Sequence, residues 1–164
     1  MGAIKDSVTS GRDSALRKYQ DTIVGSRSLV RLLRFEATQL LASGLPGAAG
    51  LVLRKALYPG LLAGCGGGTV FGRNIVLRQP GRVRLGRGVV IDDGCCFDAI
   101  SEAPVAIEVG DTTMFGVGTR LSAKMGSIRI GNDCGFGAGI TVHAALEGTV
   151  EIGHRVLIAG HAYL

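Results

Sequence analysis

Apolar residues recur at a spacing of six along the second half of the chain, grouped into thirteen-residue phrases. Each phrase has apolar residues at its first, seventh and thirteenth places, a small or β-branched residue at the fifth, and in nearly every copy Gly at the second. A fixed repeat of this kind is typical of an array of stacked units. The five copies are Cys65–Leu77, Leu85–Phe97, Val109–Leu121, Ile130–Val142 and Ile152–Leu164.

Six residues suit a short strand and a sharp bend, and Gly at the second place suits the bend. Each phrase supplies two such sides, and a third comes from the alternating residues before it, as in Val83-Arg84-Leu85. The phrases start 20, 24, 21 and 22 residues apart, which is more than three sides of six residues need. The extra residues of each turn fall at one corner, for example at 99–106 and 144–149. The pattern predicts a triangular parallel β-helix over residues 60–164, with columns of aliphatic residues inside it.

Residues 1–59 follow a different pattern and predict an N-terminal helical region. Residues 1–26 are polar, and we expect them to be loosely ordered or weakly helical. Helical spacing begins after Ser28, a good N-cap, and Gly44–Gly47 then breaks the helix before a second one at about Ala48–Leu57. The apolar stripe of the first helix comprises Leu29, Val30, Leu33, Ala37, Leu40 and Leu41.

No charged residue lies between Glu36 and Arg54, but Pro46-Gly47 interrupts this stretch, which excludes a transmembrane helix. Two interpretations remain open for residues 28–57. One is a helical hairpin packed on the repeat domain or on a partner, and the other is an amphipathic anchor in the membrane interface. The second is favoured, though not decided, by flanking cations, namely Arg27, Arg31, Arg34, Arg54 and Lys55.

The charge is unevenly distributed, at +10 over residues 1–90 and −5 over residues 91–164. The basic half is either a solvated face or a surface for an anionic neighbour, and lipid is favoured over nucleic acid because no nucleic-acid motif is present. The four cysteines lack the spacing of a metal site, so we expect no metal. Cys95 and Cys134 occupy fifth places, and we interpret all four as core residues in a reducing compartment.

The phrases 85–91 (LGRGVVI), 130–134 (IGNDC) and 152–158 (IGHRVLI) resemble those of the hexapeptide-repeat acyltransferases. This resemblance implies an all-β domain forming a single-stranded left-handed parallel β-helix, here preceded by α-helices. It also implies a homotrimer that takes acetyl-CoA or another acyl-CoA as co-substrate. The lead-in Leu57-Tyr58-Pro59 is similar to that of a subgroup acting on sugars of surface polysaccharides.

The resemblance further implies that a histidine base activates a hydroxyl or amine of a sugar or polysaccharide precursor. His143, at the irregular corner, is our candidate base, whereas His154 and His161 are expected on the surface or lining a groove. In the family the base usually lies beyond the point equivalent to Leu164, so we expect the 60–164 domain to be truncated at its C-terminal end. Residues that bind the acyl donor are not assigned.

Two other functional classes are retained as hypotheses. The first is a non-catalytic β-helix scaffold or a truncated, inactive homologue. The second is a zinc hydratase of the same fold, disfavoured because the expected pair of closely spaced histidines is missing. We expect a cytoplasmic location, peripheral to the inner face of the membrane if residues 28–57 dock there.

Overall fold

The computed structural model describes residues 14–164, so part of the predicted 1–26 segment lies outside the described residues. The chain begins with helices α1 (Ala15–Tyr19), α2 (Leu29–Ala42) and α3 (Gly47–Leu57). A π-helical turn at Gln20–Val24 follows α1, and a 3-10 turn at Tyr58–Leu61 follows α3. The two predicted helices are therefore confirmed, with bounds close to those expected.

Fourteen strands then form a parallel β-solenoid of about five turns, with one sheet on each of three sides. Sheet A contains β1 (Gly64–Cys65), β4 (Val83–Leu85), β7 (Ile107–Val109), β10 (Ser127–Ile130) and β13 (Thr149–Ile152). Sheet B contains β2 (Val70–Phe71), β5 (Val90–Ile91), β8 (Met114–Phe115), β11 (Gly135–Phe136) and β14 (Leu157–Ile158). Sheet C contains β3 (Val76–Arg78), β6 (Cys96–Asp98), β9 (Arg120–Lys124) and β12 (Thr141–Ala145).

The strand register follows the sequence repeat residue for residue. The first places of the five phrases pair in sheet A, and the seventh places pair in sheet B. The extra residues of each turn lie between a strand of sheet C and the next strand of sheet A, as the insertions predicted. A parallel β-helix is thus confirmed, and its left-handedness remains an expectation from the resemblance.

The interior of the solenoid consists of stacked columns of like residues. Phe115 and Phe136, both at seventh places, stack with ring centroids 4.9 Å apart, and Phe97 from the column of sheet C meets Phe115 edge to face at 5.5 Å. Cys95 and Cys134 are buried within the same core, as predicted, and burial raises the pKa of the Cys95 thiol to about 11. Because every turn buries the same positions, the core extends along the whole solenoid.

Glycine is needed at the second place because the next turn leaves no room for a Cβ. The backbone conformation at this place does not itself require glycine. Gly110 has an ordinary negative φ, but a Cβ there would lie 2.7 Å from the carbonyl carbon of Gly131 and 2.3 Å from Asn132 Oδ1. Close stacking of successive turns therefore excludes a side chain at this place. The expectation that Gly suits this place is confirmed, and the structure shows that its reason is the contact with the next turn.

Cations of one turn pair with acids of the next turn. Arg73 contacts Asp93 and Arg87 contacts Asp111, at 2.7 Å and 2.9 Å. Hydrogen bonds from the backbone N–H and the guanidinium of Arg87 hold the pKa of Asp111 below its usual range. Much of the charge asymmetry between the two halves of the chain thus reflects pairing within the solenoid.

The helical hairpin is attached to the first turn of the solenoid by Arg54 and Tyr58. Arg54 is buried and donates hydrogen bonds to the carbonyl oxygens of Phe71, Ala42 and Leu45, at 2.9, 3.1 and 2.7 Å. Tyr58 is buried and stacks on Phe71, with ring centroids 5.2 Å apart. Arg54 is therefore a structural cation and contributes nothing to an exposed basic surface.

The predicted apolar stripe of α2 lies on the outside of the molecule. The residues that α2 buries are Leu32, Phe35, Thr38 and Ala42. The stripe itself, from Leu29 to Leu41, is exposed. Both sides of this helix are apolar, which explains why its spacing did not identify the buried side. Within residues 14–164, no helix has the length and apolar character needed to cross a bilayer.

Candidate functional site on sheet C

Four chemically active side chains form one row across sheet C. They occupy the place directly after each of the first four phrases, and the register pairs them strand by strand. Neighbouring strands lie about 4.8 Å apart in the ladder direction, so adjacent members are close neighbours. In order across β3, β6, β9 and β12, the row consists of Arg78, Asp98, Ser122 and His143.

The row lies on the outer face of the sheet. Leu121 and Ala123 are buried in the core cluster, so the side chain of Ser122 between them projects outward. The same alternation directs His143 outward from between Val142 and Ala144. Asp98 and Ser122 are nevertheless buried, and His143 is half-buried. This part of the outer face is therefore largely withdrawn from water.

Asp98 is the most unusual member of the row, because its side chain is 1% exposed and neither carboxylate oxygen has a hydrogen-bond partner. The nearest cation is Arg78, whose Nη1 lies 3.6 Å from Asp98 Oδ2. A buried carboxylate normally accepts several hydrogen bonds, since desolvation of its charge is costly. Such a group, beside a hydroxyl and two strands from an imidazole, is a candidate for a functional role.

The surroundings of the row are positively charged. Arg120 and Lys124 are exposed on β9, on either side of Ser122.

Cys96 is buried on the same outer face, and burial raises the pKa of its thiol, while the charges of Arg120, Arg78 and Lys124 act in the opposite direction. Cys96 is buried, as predicted, although it lies outside the main core cluster. Cys65 is half-buried against the core.

The other two histidines are exposed at turns, away from the row. His154 Nδ1 accepts a hydrogen bond from the backbone N–H of Asn132, at 2.9 Å, and so continues a ladder of turn side chains. His161 has a left-handed backbone, with φ of 62°, and lies over Gly139. The sequence-based expectation of surface positions for both is consistent with this placement.

Sequence reasoning singled out His143 but missed Asp98 and Ser122. The signal was present, because aligning the phrases at the place after the thirteenth residue brings Arg78, Asp98, Ser122 and His143 into one column. Among residues 14–164, no cluster of three or more His, Cys, Asp or Glu side chains has the arrangement of a metal site.

Comparison of the chain with models of protein families, with curated proteins and with solved structures finds no match. The resemblance to hexapeptide-repeat acyltransferases therefore remains an expectation, and the row in sheet C is the structural feature that points to a function.

Proposed function

We propose that this protein transfers an acyl group from acyl-CoA to a hydroxyl or amine of a sugar or polysaccharide precursor. The observation that carries the proposal is the half-buried His143 in line with Ser122 and the buried, unsatisfied Asp98. Acyl transfer needs a base at the acceptor, and an imidazole is the side chain best suited to that role near neutral pH. The proposal includes a homotrimer and requires no metal.

In the proposed reaction, His143 removes the proton from the acceptor as the acceptor attacks the thioester carbonyl. The new bond joins the acceptor oxygen or nitrogen to the carbonyl carbon, and the bond to sulfur then breaks. The departing CoA thiolate recovers the proton from the imidazolium, so His143 is regenerated.

The charges around the row suit the donor. Acyl-CoA carries several phosphate groups, and Arg120 and Lys124 are exposed cations on the same face. Arginine and lysine both bind phosphate oxygens through charge-assisted hydrogen bonds. These two residues are thus candidates for donor binding, a role that the sequence alone did not assign to any residue.

The decisive experiment is an acyl-transfer assay with a matched pair of histidine variants. The purified full chain is incubated with acetyl-CoA and a panel of sugars, and mass spectrometry detects the acylated sugar and free CoA. Thiol reagents are avoided because the chain has four cysteines of its own. We expect His143→Ala to lower kcat/KM by at least tenfold, because general-base catalysis is typically worth more than that.

His161→Asn is the matched control, since Asn tolerates the left-handed backbone at this exposed position. It should leave the rate unchanged. If His143→Ala is as active as the unchanged chain, His143 is not the base. If no acceptor is acylated at all, the non-catalytic scaffold or inactive homologue becomes the better interpretation.

A further inference from the structure

The helical hairpin exposes a set of aliphatic side chains to solvent, which we call the outer hairpin face. Leu40 is 86% exposed and Val30 is 76% exposed, whereas aliphatic side chains of this size are usually buried. The two helices contact each other, and both carry exposed aliphatic side chains. The outer hairpin face consists of Leu29, Val30, Leu33, Ala37, Leu40 and Leu41 on α2, with Leu51 and Val52 on α3.

This surface is entirely aliphatic. It carries no aromatic ring and no hydrogen-bonding side chain, although Tyr, Trp and Arg dominate the centres of protein–protein interfaces. A large exposed aliphatic patch on a folded molecule marks an interaction surface. An acyl-chain environment matches this composition, because it needs only apolar contacts.

Cations border the outer hairpin face. Arg31 and Arg34 are exposed on α2 and Lys55 on α3, while Glu36 is the single acid between residues 28 and 57. Glu36 accepts a hydrogen bond from the Tyr19 hydroxyl, so its charge is already engaged. The border therefore has the charge that complements anionic phosphate groups.

Arg31 and Arg34 also line a cavity of about 520 Å³ between α2 and the solenoid, together with Arg82. Gly60 makes room for the Arg34 guanidinium there, since a Cβ on Gly60 would lie 1.7 Å from an Arg34 nitrogen. The three arginines outnumber Glu102, the acid that also lines this opening, so its charge suits a phosphate group at the level of the bilayer interface.

We propose that the outer hairpin face docks on an anionic phospholipid bilayer, with α2 and α3 lying in the plane of the interface. The aliphatic side chains would enter the boundary of the acyl chains, while Arg31, Arg34 and Lys55 contact lipid phosphates. Neither helix is long enough to span the bilayer, so the contact is peripheral. This proposal is independent of acyl transfer.

Vesicle flotation tests the apolar contribution. The full chain should float with vesicles made of phosphatidylglycerol and phosphatidylcholine in equal parts. The double variant Leu33→Gln/Leu40→Gln should lower the ratio of bound to free protein by about tenfold or more, because two leucines no longer enter the apolar layer. The matched control Val117→Gln/Leu157→Gln, which alters exposed apolar residues of the solenoid, should bind as the unchanged chain does.

The charge contribution is tested with the same vesicles. Arg31→Gln and Arg34→Gln should each lower binding to the anionic vesicles roughly fivefold and leave binding to pure phosphatidylcholine unchanged. Because all the altered side chains are exposed, circular dichroism and thermal unfolding should match those of the unchanged chain.

A fluorescent reporter gives a second measurement that does not depend on loss of binding. The chain contains no Trp, so Leu40→Trp introduces a single one. Its emission should shift to shorter wavelength with the anionic vesicles, whereas that of Leu157→Trp should not. Absence of this shift, or equal flotation of Leu33→Gln/Leu40→Gln and the unchanged chain, overturns the proposal. The proposal is also overturned if the chain does not bind vesicles and Leu33→Gln/Leu40→Gln lowers its mass in light scattering. The outer hairpin face would then join two copies of the chain.

Discussion

Two charged side chains are buried among residues 14–164, and their surroundings differ completely. Arg54, at the junction of the hairpin and the solenoid, donates three hydrogen bonds to backbone carbonyl oxygens. Asp98, on the outer face of sheet C, has no hydrogen-bond partner for either oxygen. Its only close cation is the partly exposed Arg78. One buried charge is satisfied by the fold, and the other is not.

The difference separates a structural charge from a candidate functional one. A satisfied buried cation fixes the positions of the groups it binds, here the end of α2, the following loop and strand β2. A buried carboxylate without hydrogen bonds destabilises the fold, so its presence needs another explanation. Its place in the row with Ser122 and His143 supplies one, since functional sites commonly keep groups that do not favour stability.

The largest expected effect is that of Arg54→Met. This variant keeps much of the side-chain volume but leaves three carbonyl oxygens without their donor, so we expect the free energy of unfolding to fall by about 3 kcal/mol or more. Urea denaturation followed by circular dichroism measures it. Arg84→Met, on the exposed face of sheet A, is the control and should change the value by about 0.5 kcal/mol or less. Equal effects of the two variants would contradict the structural role of Arg54.

Asp98→Asn should behave in the opposite way. The substitution removes the buried charge and keeps the shape, so the free energy of unfolding should rise or stay within about 1 kcal/mol of its original value. Acyl transfer should fall by about tenfold, because the row loses its carboxylate, which lies directly beside Ser122. Glu108→Gln, an exposed carboxylate in sheet A, should leave the rate unchanged. A loss of several kcal/mol in Asp98→Asn would identify Asp98 as a structural residue instead.

The solenoid could be predicted in detail because the repeat encodes its register. Cys65, Leu85, Val109, Ile130 and Ile152 stand at the same place of each phrase and pair in the same sheet. The phase of the insertions also located the irregular corner. Because each turn contacts only its neighbours, such a regular repeat is compatible with few other folds or strand registers.

The hairpin and the site were less predictable, for a different physical reason. Leu32 and Phe35 on one side of α2 are as apolar as Leu33 and Leu40 on the other, so spacing alone could not choose the buried side. The burial of Asp98 depends on what covers the outer face of sheet C, which the repeat does not encode. Similarly, the basic first half of the chain suggested an external partner, whereas Arg73 and Arg87 pair with acids one turn later.

The smallest expected effect concerns an ion pair that joins two successive turns, as Arg78–Asp98 does, but is exposed to solvent. Arg84 and Glu108 also belong to successive turns, with an N–O distance of 3.3 Å, and both side chains are about half exposed. A double-mutant cycle with Arg84→Gln and Glu108→Gln should give a coupling free energy of about 0.5 kcal/mol or less, and added salt should weaken it. A coupling well above about 1 kcal/mol would mean that exposed pairs between turns hold the solenoid together. Burial would then no longer distinguish Asp98 from the acids of sheet A.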